Sequence, residues 1–192
     1  LVDSVRAAEK TVFLVDAGDF VQGTYYFSLL NGVVEMDIID ELAYDVRTLG
    51  NHEFDKKMAC LNDMLTWSDA PVVASNYDFT KTSLATRIEP SMIIEKNGLK
   101  VGFIGLNVKL DNLVAPSSRE GVEWQNAINV ADNLAQDLRN RGADMVIALS
   151  HLGYEKNSTE VYYDRGIALN TRHIDMIIGG HTHTFLNKAD YV

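Results

Sequence analysis

Residues 174–183 read IDMIIGGHTH, a short apolar run that ends in two glycines and two histidines. The same arrangement recurs in residues 144–153 (DMVIALSHLG), 44–52 (YDVRTLGNH) and 11–19 (TVFLVDAGD). Apolar runs of five or six residues have the length of buried strands. Because helical patterns separate these runs, the chain is predicted to be an α/β protein with βαβ units.

The segments between the apolar runs carry the signals of helices and of one hairpin. Residues 126–140 repeat alanine and leucine at helical spacing, and Gly142 follows as a stop signal. Helices are also expected over residues 33–43, 55–67 and 159–171. Residues 92–106 hold two β-rich halves around Asn97-Gly98, which predicts an antiparallel hairpin within an otherwise parallel arrangement.

Composition excludes several classes of function. The 192 residues are enough for one domain, and 17 basic against 27 acidic side chains give a net charge of −10. This acidic balance argues against a nucleic-acid duplex as a partner, because proteins that bind nucleic acids carry a basic surface. No apolar run is long enough to span a membrane. A single cysteine excludes an internal disulfide framework.

Six polar side chains follow the apolar runs. They are Asp19, Asn51, His52, His151, His181 and His183. Taken singly, each is an ordinary turn residue, helix cap or core histidine. The carboxyl ends of strands in an open α/β sheet form the crevice where ligands bind, so these residues are expected to gather at one edge. Oxygen and imidazole donors without thiolates suit Mn, Fe, Zn or Co.

Four motifs in this order resemble those of the calcineurin-like metallophosphoesterases. They are GDF with the later Gly23, GNHEFD (50–55), SHLG (150–153) and GGHTH (179–183). The spelling GNHEFD, with Ser75-Asn76 after the next apolar run, is similar to the secreted 5′-nucleotidase branch. The resemblance implies a four-layer α/β/β/α sandwich of mixed sheets. It also implies two divalent metal ions at the end of the sheets.

The resemblance assigns roles to individual residues. Asp19 would bridge the two ions. Asn51, His151 and His181 would complete one metal site, and His183 would serve the other. The pair His52 and Asp55 would match the catalytic dyad of the family, in which the histidine protonates the leaving oxygen. An imidazole suits that task because its pKa lies near neutrality.

The sequence also departs from the family pattern. The family opens with an Asp-x-His motif that supplies two ligands, and no histidine precedes His52. Residues 1–192 are therefore expected to be a partial catalytic domain, truncated at its N-terminus. The complete protein would carry a C-terminal nucleotide-binding domain. The resemblance places such a protein in the periplasm or outside the cell.

Three functions remain open from the sequence. The leading hypothesis is a metal-dependent 5′-nucleotidase that hydrolyses nucleoside monophosphates to nucleoside and phosphate. A second is a 2′,3′-cyclic-nucleotide 2′-phosphodiesterase with 3′-nucleotidase activity, which would use the same core. A third is a non-catalytic fragment or binding module, because the first metal motif is absent.

Overall fold

A computed structural model describes residues 1–154 and 162–192. The helices are α1 (Val2–Ala8), α2 (Tyr25–Leu30), α3 (Val33–Glu41), α4 (Lys57–Trp67), α5 (Ala127–Asn140) and α6 (Asp164–Asn170). The strands are β1 (Val15–Asp16), β2 (Val46–Arg47), β3 (Val72–Val73), β4 (Tyr77–Asp78), β5 (Ile88–Glu89), β6 (Ser91–Lys96), β7 (Leu99–Asn107), β8 (Glu123–Trp124), β9 (Met145–His151) and β10 (Met176–Gly179). Short 3₁₀ turns lie at His52–Phe54 and Pro116–Ser118.

Two four-stranded sheets carry the architecture. The first has the strand order β1-β2-β3-β5 and is parallel throughout. The second has the order β10-β9-β7-β6 and is parallel except for the β6–β7 hairpin. Asn97 and Gly98 join that hairpin with φ angles of 53° and 84°. Positive φ at both turn positions matches the right-handed twist of the strands, and the predicted hairpin is confirmed.

Three apolar cores separate four layers. Buried side chains between the two sheets form the middle core; they include Val73, Phe103 and Leu149. Helices α3 and α4 pack on the outer face of the first sheet. Helix α5 packs on the outer face of the second, with Ala131 and Leu138 fully buried. The expected four-layer α/β/β/α sandwich of mixed sheets is confirmed.

Helix α5, which the sequence predicted most clearly, has an N-cap residue at its start and a glycine after its end. Asn126 caps α5 by accepting a 3.1 Å hydrogen bond from the Asn129 amide, and Gly142 adopts a φ of 92° just beyond its end. Helices α3 and α4 fall within their predicted ranges. Helix α6 begins at Asp164, and the first residues of its predicted range, 159–161, lie outside the described residues.

Two helices escaped prediction for physical reasons. Helix α1 spans only seven residues and buries none of them, so it is too short for a periodic pattern to identify it. Helix α2 is six residues long and buries only Phe27, while Tyr25 and Leu29 are exposed. Its start is nevertheless capped, because the Thr24 hydroxyl accepts a hydrogen bond from the Phe27 amide.

A buried asparagine joins the two sheets. Asn107 ends β7 in the second sheet, and its side-chain amide donates to Thr48 Oγ1 at 3.2 Å and to the Leu49 carbonyl, just beyond β2 in the first. Its own backbone exchanges two hydrogen bonds with the Asn76 side chain. The carboxyl ends of both sheets are thereby fixed at one edge.

Throughout residues 1–154 and 162–192, each helix is too short or too polar to traverse a lipid bilayer.

Candidate metal centre

Three of the predicted ligands meet at the shared edge of the sheets. One ligand atom from each of Asp19, His151 and His181 lies within 4.8 Å of the other two. Asp19 follows β1, His151 is the last residue of β9, and His181 follows β10. The parallel register of β9 and β10 brings the two histidines together, with 5.1 Å between their ring centroids.

The hydrogen bonds of His151 fix the role of each ring nitrogen. Its Nδ1 lies 2.7 Å from the Ala17 carbonyl oxygen, a distance at which only an N–H makes a favourable contact. Its Nε2 is buried and lies 2.9 Å from Asp19 Oδ2, without hydrogen-bond geometry. A metal-ligating histidine ordinarily donates its other N–H to a carbonyl or carboxylate in this way.

The charges of the three groups are coupled. Burial alone would raise the pKa of Asp19, but His151 and the His52 amide outweigh it and lower that pKa. Burial opposes the charge on His151, while Asp19 and the Ala17 carbonyl raise its pKa on balance. Burial and the neighbouring His151 lower the pKa of His181. These shifts favour the ionised form of Asp19 and the neutral form of His181, which are the forms that bind a cation.

Asn51 is the fourth predicted ligand, and its surroundings suit the binding of a divalent ion. Asn51 is 6% exposed, and its side-chain oxygen Oδ1 is buried without a hydrogen-bond partner. A buried amide oxygen left unpaired costs on the order of 1–3 kcal/mol, so a ligand for it is expected. Amide, carboxylate and imidazole donors form a set that first-row divalent metals accept. The residues present therefore fit such an ion.

His183 is placed differently from the other predicted ligands. It is exposed and does not belong to the group formed by Asp19, His151 and His181. Both His181 and His183 adopt positive φ angles, of 73° and 52°. That conformation is uncommon for residues other than glycine and stores strain.

Thr182 holds the segment between these two histidines. Its Oγ1 accepts a 2.9 Å hydrogen bond from the Tyr154 amide. A Cβ on Gly153 would lie 2.6 Å from the Thr182 methyl group, so only glycine leaves room for this contact. The histidine-bearing segment is therefore attached to the loop that follows β9.

The two residues predicted as a dyad contact each other in the structure. His52 Nδ1 lies 2.8 Å from Asp55 Oδ2, and the two side chains are 34% and 33% exposed. The 3₁₀ turn at residues 52–54 brings them to the same side, three residues apart. The His52 amide donates to Asp19 Oδ1 at 2.9 Å, which places the dyad beside the metal ligands.

Sequence reasoning missed a buried carboxylate between the ligand loops. Glu53 is fully buried and accepts hydrogen bonds from the Phe20 amide at 2.9 Å and from the Gly50 amide at 2.6 Å. Burial and the nearby Asp19 charge raise the pKa of Glu53 to about 7. Its position inside GNHEFD, directly before the buried Phe54, is the one sequence signal that it points inward.

A second buried carboxylate also went unpredicted. Asp164 accepts a 2.5 Å hydrogen bond from the Ser150 hydroxyl, one residue before His151. A Cβ on Gly179 would lie 2.1 Å from its other oxygen. Burial raises the pKa of Asp164 to about 7. It lines a cavity of about 610 Å³ that opens beside the ligand group.

Comparisons with known proteins identify the family of the chain. Residues 1–185 match the calcineurin-like phosphoesterase family model. A snake venom 5′-nucleotidase of Crotalus adamanteus is 34% identical over 96% of this chain and 31% of its own length. A probable 5′-nucleotidase of Treponema pallidum is 30% identical over 96% of this chain and 30% of its own length.

Solved structures show the same fold. The NAD nucleotidase of Haemophilus influenzae superposes with a TM-score of 0.86 at 30% identity, covering 97% of this chain and 36% of that one. A 5′-nucleotidase precursor of Thermus thermophilus gives 0.85 at 30% identity, covering 98% and 36%. This chain thus spans about a third of the length of these relatives. On the match of nearly its whole length and on the site geometry, the chain belongs to the calcineurin-like phosphoesterase family.

Proposed function

We propose that this chain forms the metal-binding part of a 5′-nucleotidase, which hydrolyses nucleoside monophosphates at a centre of two divalent ions. One observation carries the proposal. The group of Asp19, His151 and His181 lies next to the loop at residues 50–55, which carries the unpaired Asn51 oxygen and the His52–Asp55 pair. The 5′-nucleotidases and nucleotidase structures that resemble the chain support the substrate class.

The proposal gives each residue a task. Asp19, Asn51, His151 and His181 would hold the ions, and His183 would serve the second ion. Bound divalent ions supply positive charge to phosphoryl oxygens and lower the pKa of a water molecule. His52 faces the leaving oxygen and gives it a proton, while Asp55 accepts from Nδ1 and fixes the ring orientation.

The larger setting is part of the same proposal. Because the matched relatives are about three times as long, we assign base recognition to a C-terminal nucleotide-binding domain of a longer protein. We place that protein in the periplasm or outside the cell, in keeping with its similarity to venom nucleotidases. Its substrate is a small nucleotide or another phosphate ester.

The first experiment measures bound metal. The purified chain is loaded with Mn²⁺ or Zn²⁺, and the metal is counted by elemental analysis before phosphate release from AMP is assayed. Two ions per chain with AMP hydrolysis support the proposal. No bound metal and no turnover in the full-length protein would instead leave a binding module without catalysis.

A second candidate substrate has its own support. A trifunctional nucleotide phosphoesterase of Bacillus subtilis is 28% identical over all of this chain and 15% of its own length. Because that relative is named as a trifunctional nucleotide phosphoesterase, we also consider 2′,3′-cyclic nucleotides as substrates of this chain. Parallel assays of AMP and 2′,3′-cyclic AMP separate the two candidates, because a 5′-nucleotidase releases phosphate from AMP alone.

The dyad is tested by a substitution that leaves the metal ligands in place. His52→Asn removes the proton donor and is expected to lower kcat by about 10²–10⁴-fold. Asp55→Asn, which preserves the shape of the partner, is expected to cost less. Calorimetric titration with Mn²⁺ should give wild-type affinity for both variants. A fall in metal affinity equal to the fall in kcat would remove His52 from catalysis.

A further inference from the structure

We propose that Glu53 is a positioning residue that fixes the distance between the two loops carrying Asp19 and Asn51. The inference rests on the proposed function, since it concerns the metal centre. Glu53 itself is fully buried and does not belong to the group of ligand side chains. It acts through the backbone of the ligand loops.

The two loops exchange reciprocal hydrogen bonds. The loop after β1 supplies the Asp19 carboxylate, which accepts from the His52 amide at 2.9 Å. The loop after β2 supplies the Glu53 carboxylate, which accepts from the Phe20 amide at 2.9 Å. The second oxygen of Glu53 accepts from the Gly50 amide at 2.6 Å, within its own loop. Each loop thus gives one carboxylate and one amide to the other.

Of these two carboxylates, only Glu53 is dedicated to the task. Asp19 Oδ1 faces the His52 amide and Oδ2 faces His151, so a bound ion would have to share oxygens already in use. Both oxygens of Glu53 accept from backbone donors, and Glu53 does not belong to the group of ligand side chains. If Asp19 bound an ion, the contacts of Glu53 would still join the two loops.

Close packing makes this contact difficult to replace. A Cβ on Gly18 would lie 2.5 Å from the Gly50 nitrogen, so the two loop backbones approach too closely for a side chain between them. A carboxylate reaching in from Glu53 accepts from both loops at once. Glutamine has the same shape but offers one acceptor oxygen and one N–H₂, which would face a backbone N–H. One buried amide would then lose its partner.

The experiment compares Glu53→Gln with a matched control, Asp45→Asn. Asp45 also joins β1 and β2, since it accepts from the Leu14 amide at 2.7 Å, but at the opposite end of the strands. Both substitutions remove one carboxylate charge and one acceptor. For each variant, Mn²⁺ affinity is measured by titration calorimetry and stability by thermal melting. Amide hydrogen exchange at Phe20 and Gly50 is followed without metal.

The expected result is at least a tenfold loss of Mn²⁺ affinity in Glu53→Gln, as for other residues that orient metal ligands. Asp45→Asn should bind Mn²⁺ within twofold of wild type. Exchange at Phe20 and Gly50 should accelerate at least tenfold in Glu53→Gln only. Equal affinities of Glu53→Gln and wild type would overturn the inference, as would an equal loss in Asp45→Asn.

The experiment also distinguishes two other outcomes, a protein that binds no metal and a variant that does not fold. If wild-type protein binds no Mn²⁺, the proposed function fails, and the exchange rates at Phe20 and Gly50 still decide whether Glu53 joins the loops. If Glu53→Gln does not fold, Glu53→Asp retains the charge but is one methylene too short to reach both amides. Wild-type Mn²⁺ affinity in Glu53→Asp would then refute the positioning role.

Discussion

The two halves of the candidate centre are built in opposite ways. The loop at residues 50–55 is largely buried, with Asn51 at 6% and Glu53 and Phe54 at 0% exposure. The segment at residues 179–184 is mostly exposed, and its histidines adopt positive φ angles. The buried loop is held by core packing and by carboxylate–amide bonds. The exposed segment depends on the Thr182 contact with Tyr154 and on the strand before it.

This difference separates a preorganised half from an adaptable one. Donors fixed in a buried loop present a metal with the correct geometry before binding, which avoids an ordering cost. Donors on an exposed segment gain order when the ion binds, since few contacts hold them otherwise. Disturbing the buried loop should therefore cost more metal affinity than disturbing the exposed segment.

The largest expected effect comes from removing a ligand that lies next to both halves. Asp19 accepts from the His52 amide in the first half, and its carboxylate lies within 4.8 Å of a ring nitrogen of His181 in the second. Asp19→Ala should abolish Mn²⁺ binding and lower phosphate release by at least ~10³-fold, since both proposed ions lose a ligand. Exposed Asp63 on α4 gives the control Asp63→Ala. Near wild-type turnover in Asp19→Ala would contradict the assignment.

A matched pair of glycine substitutions compares the halves directly. In Gly50→Ala the new methyl would lie 2.1 Å from Asp19 Oδ1, so a ligand must move. In Gly153→Ala the methyl would lie 2.6 Å from an exposed Thr182 methyl, and the φ of 89° adds roughly 1 kcal/mol of strain. Calorimetry should show more than tenfold weaker Mn²⁺ binding for Gly50→Ala and only a few-fold loss for Gly153→Ala. The reverse order would refute the contrast.

A pH experiment tests Asp164, the buried carboxylate that contacts the exposed segment at residues 179–184. The pKa of Asp164 is raised from 3.8 to about 7, so the folded state binds a proton that the unfolded state releases. Its stabilising contribution is complete below pH 4 and is lost as the pH rises to 7. Asp164→Asn should flatten the fall in melting temperature of the metal-free protein between pH 5 and pH 8. Glu53 titrates in the same direction and should leave part of that slope in the variant.

The smallest expected effect concerns the Thr182 hydroxyl. Thr182→Val keeps the shape of the side chain but loses the acceptor for the Tyr154 amide, an exposed hydrogen bond of about 1 kcal/mol. Mn²⁺ affinity should fall by a few-fold at most, and Thr182→Ser should restore it because the hydroxyl returns. A loss as large as that of Gly50→Ala would show that the exposed segment is as preorganised as the buried loop.

Sequence patterns predicted the fold, and they predicted which side chains gather at the edge of the sheets, because both depend on local signals. Asn97-Gly98 and the capped α5 carry their own structural signals, and the glycines after each apolar run mark where ligands gather. Helix α1 spans only seven residues and buries none of them, so it is too short to show a periodic pattern. The contacts of Glu53 with Phe20 and of Thr182 with Tyr154 join residues about thirty positions apart. Such contacts form only when separate loops pack together in the fold. A single sequence does not show which loops will meet.

Asn107 has a consequence for the order of biosynthesis. It fastens the second sheet to the first, and each sheet brings only part of the donor set: Asp19 and Asn51 from one, His151 and His181 from the other. During translation the first pair leaves the ribosome long before the second. A nascent chain therefore has no complete set of donors to capture a stray cation. A complete metal site would form only once both sheets have docked.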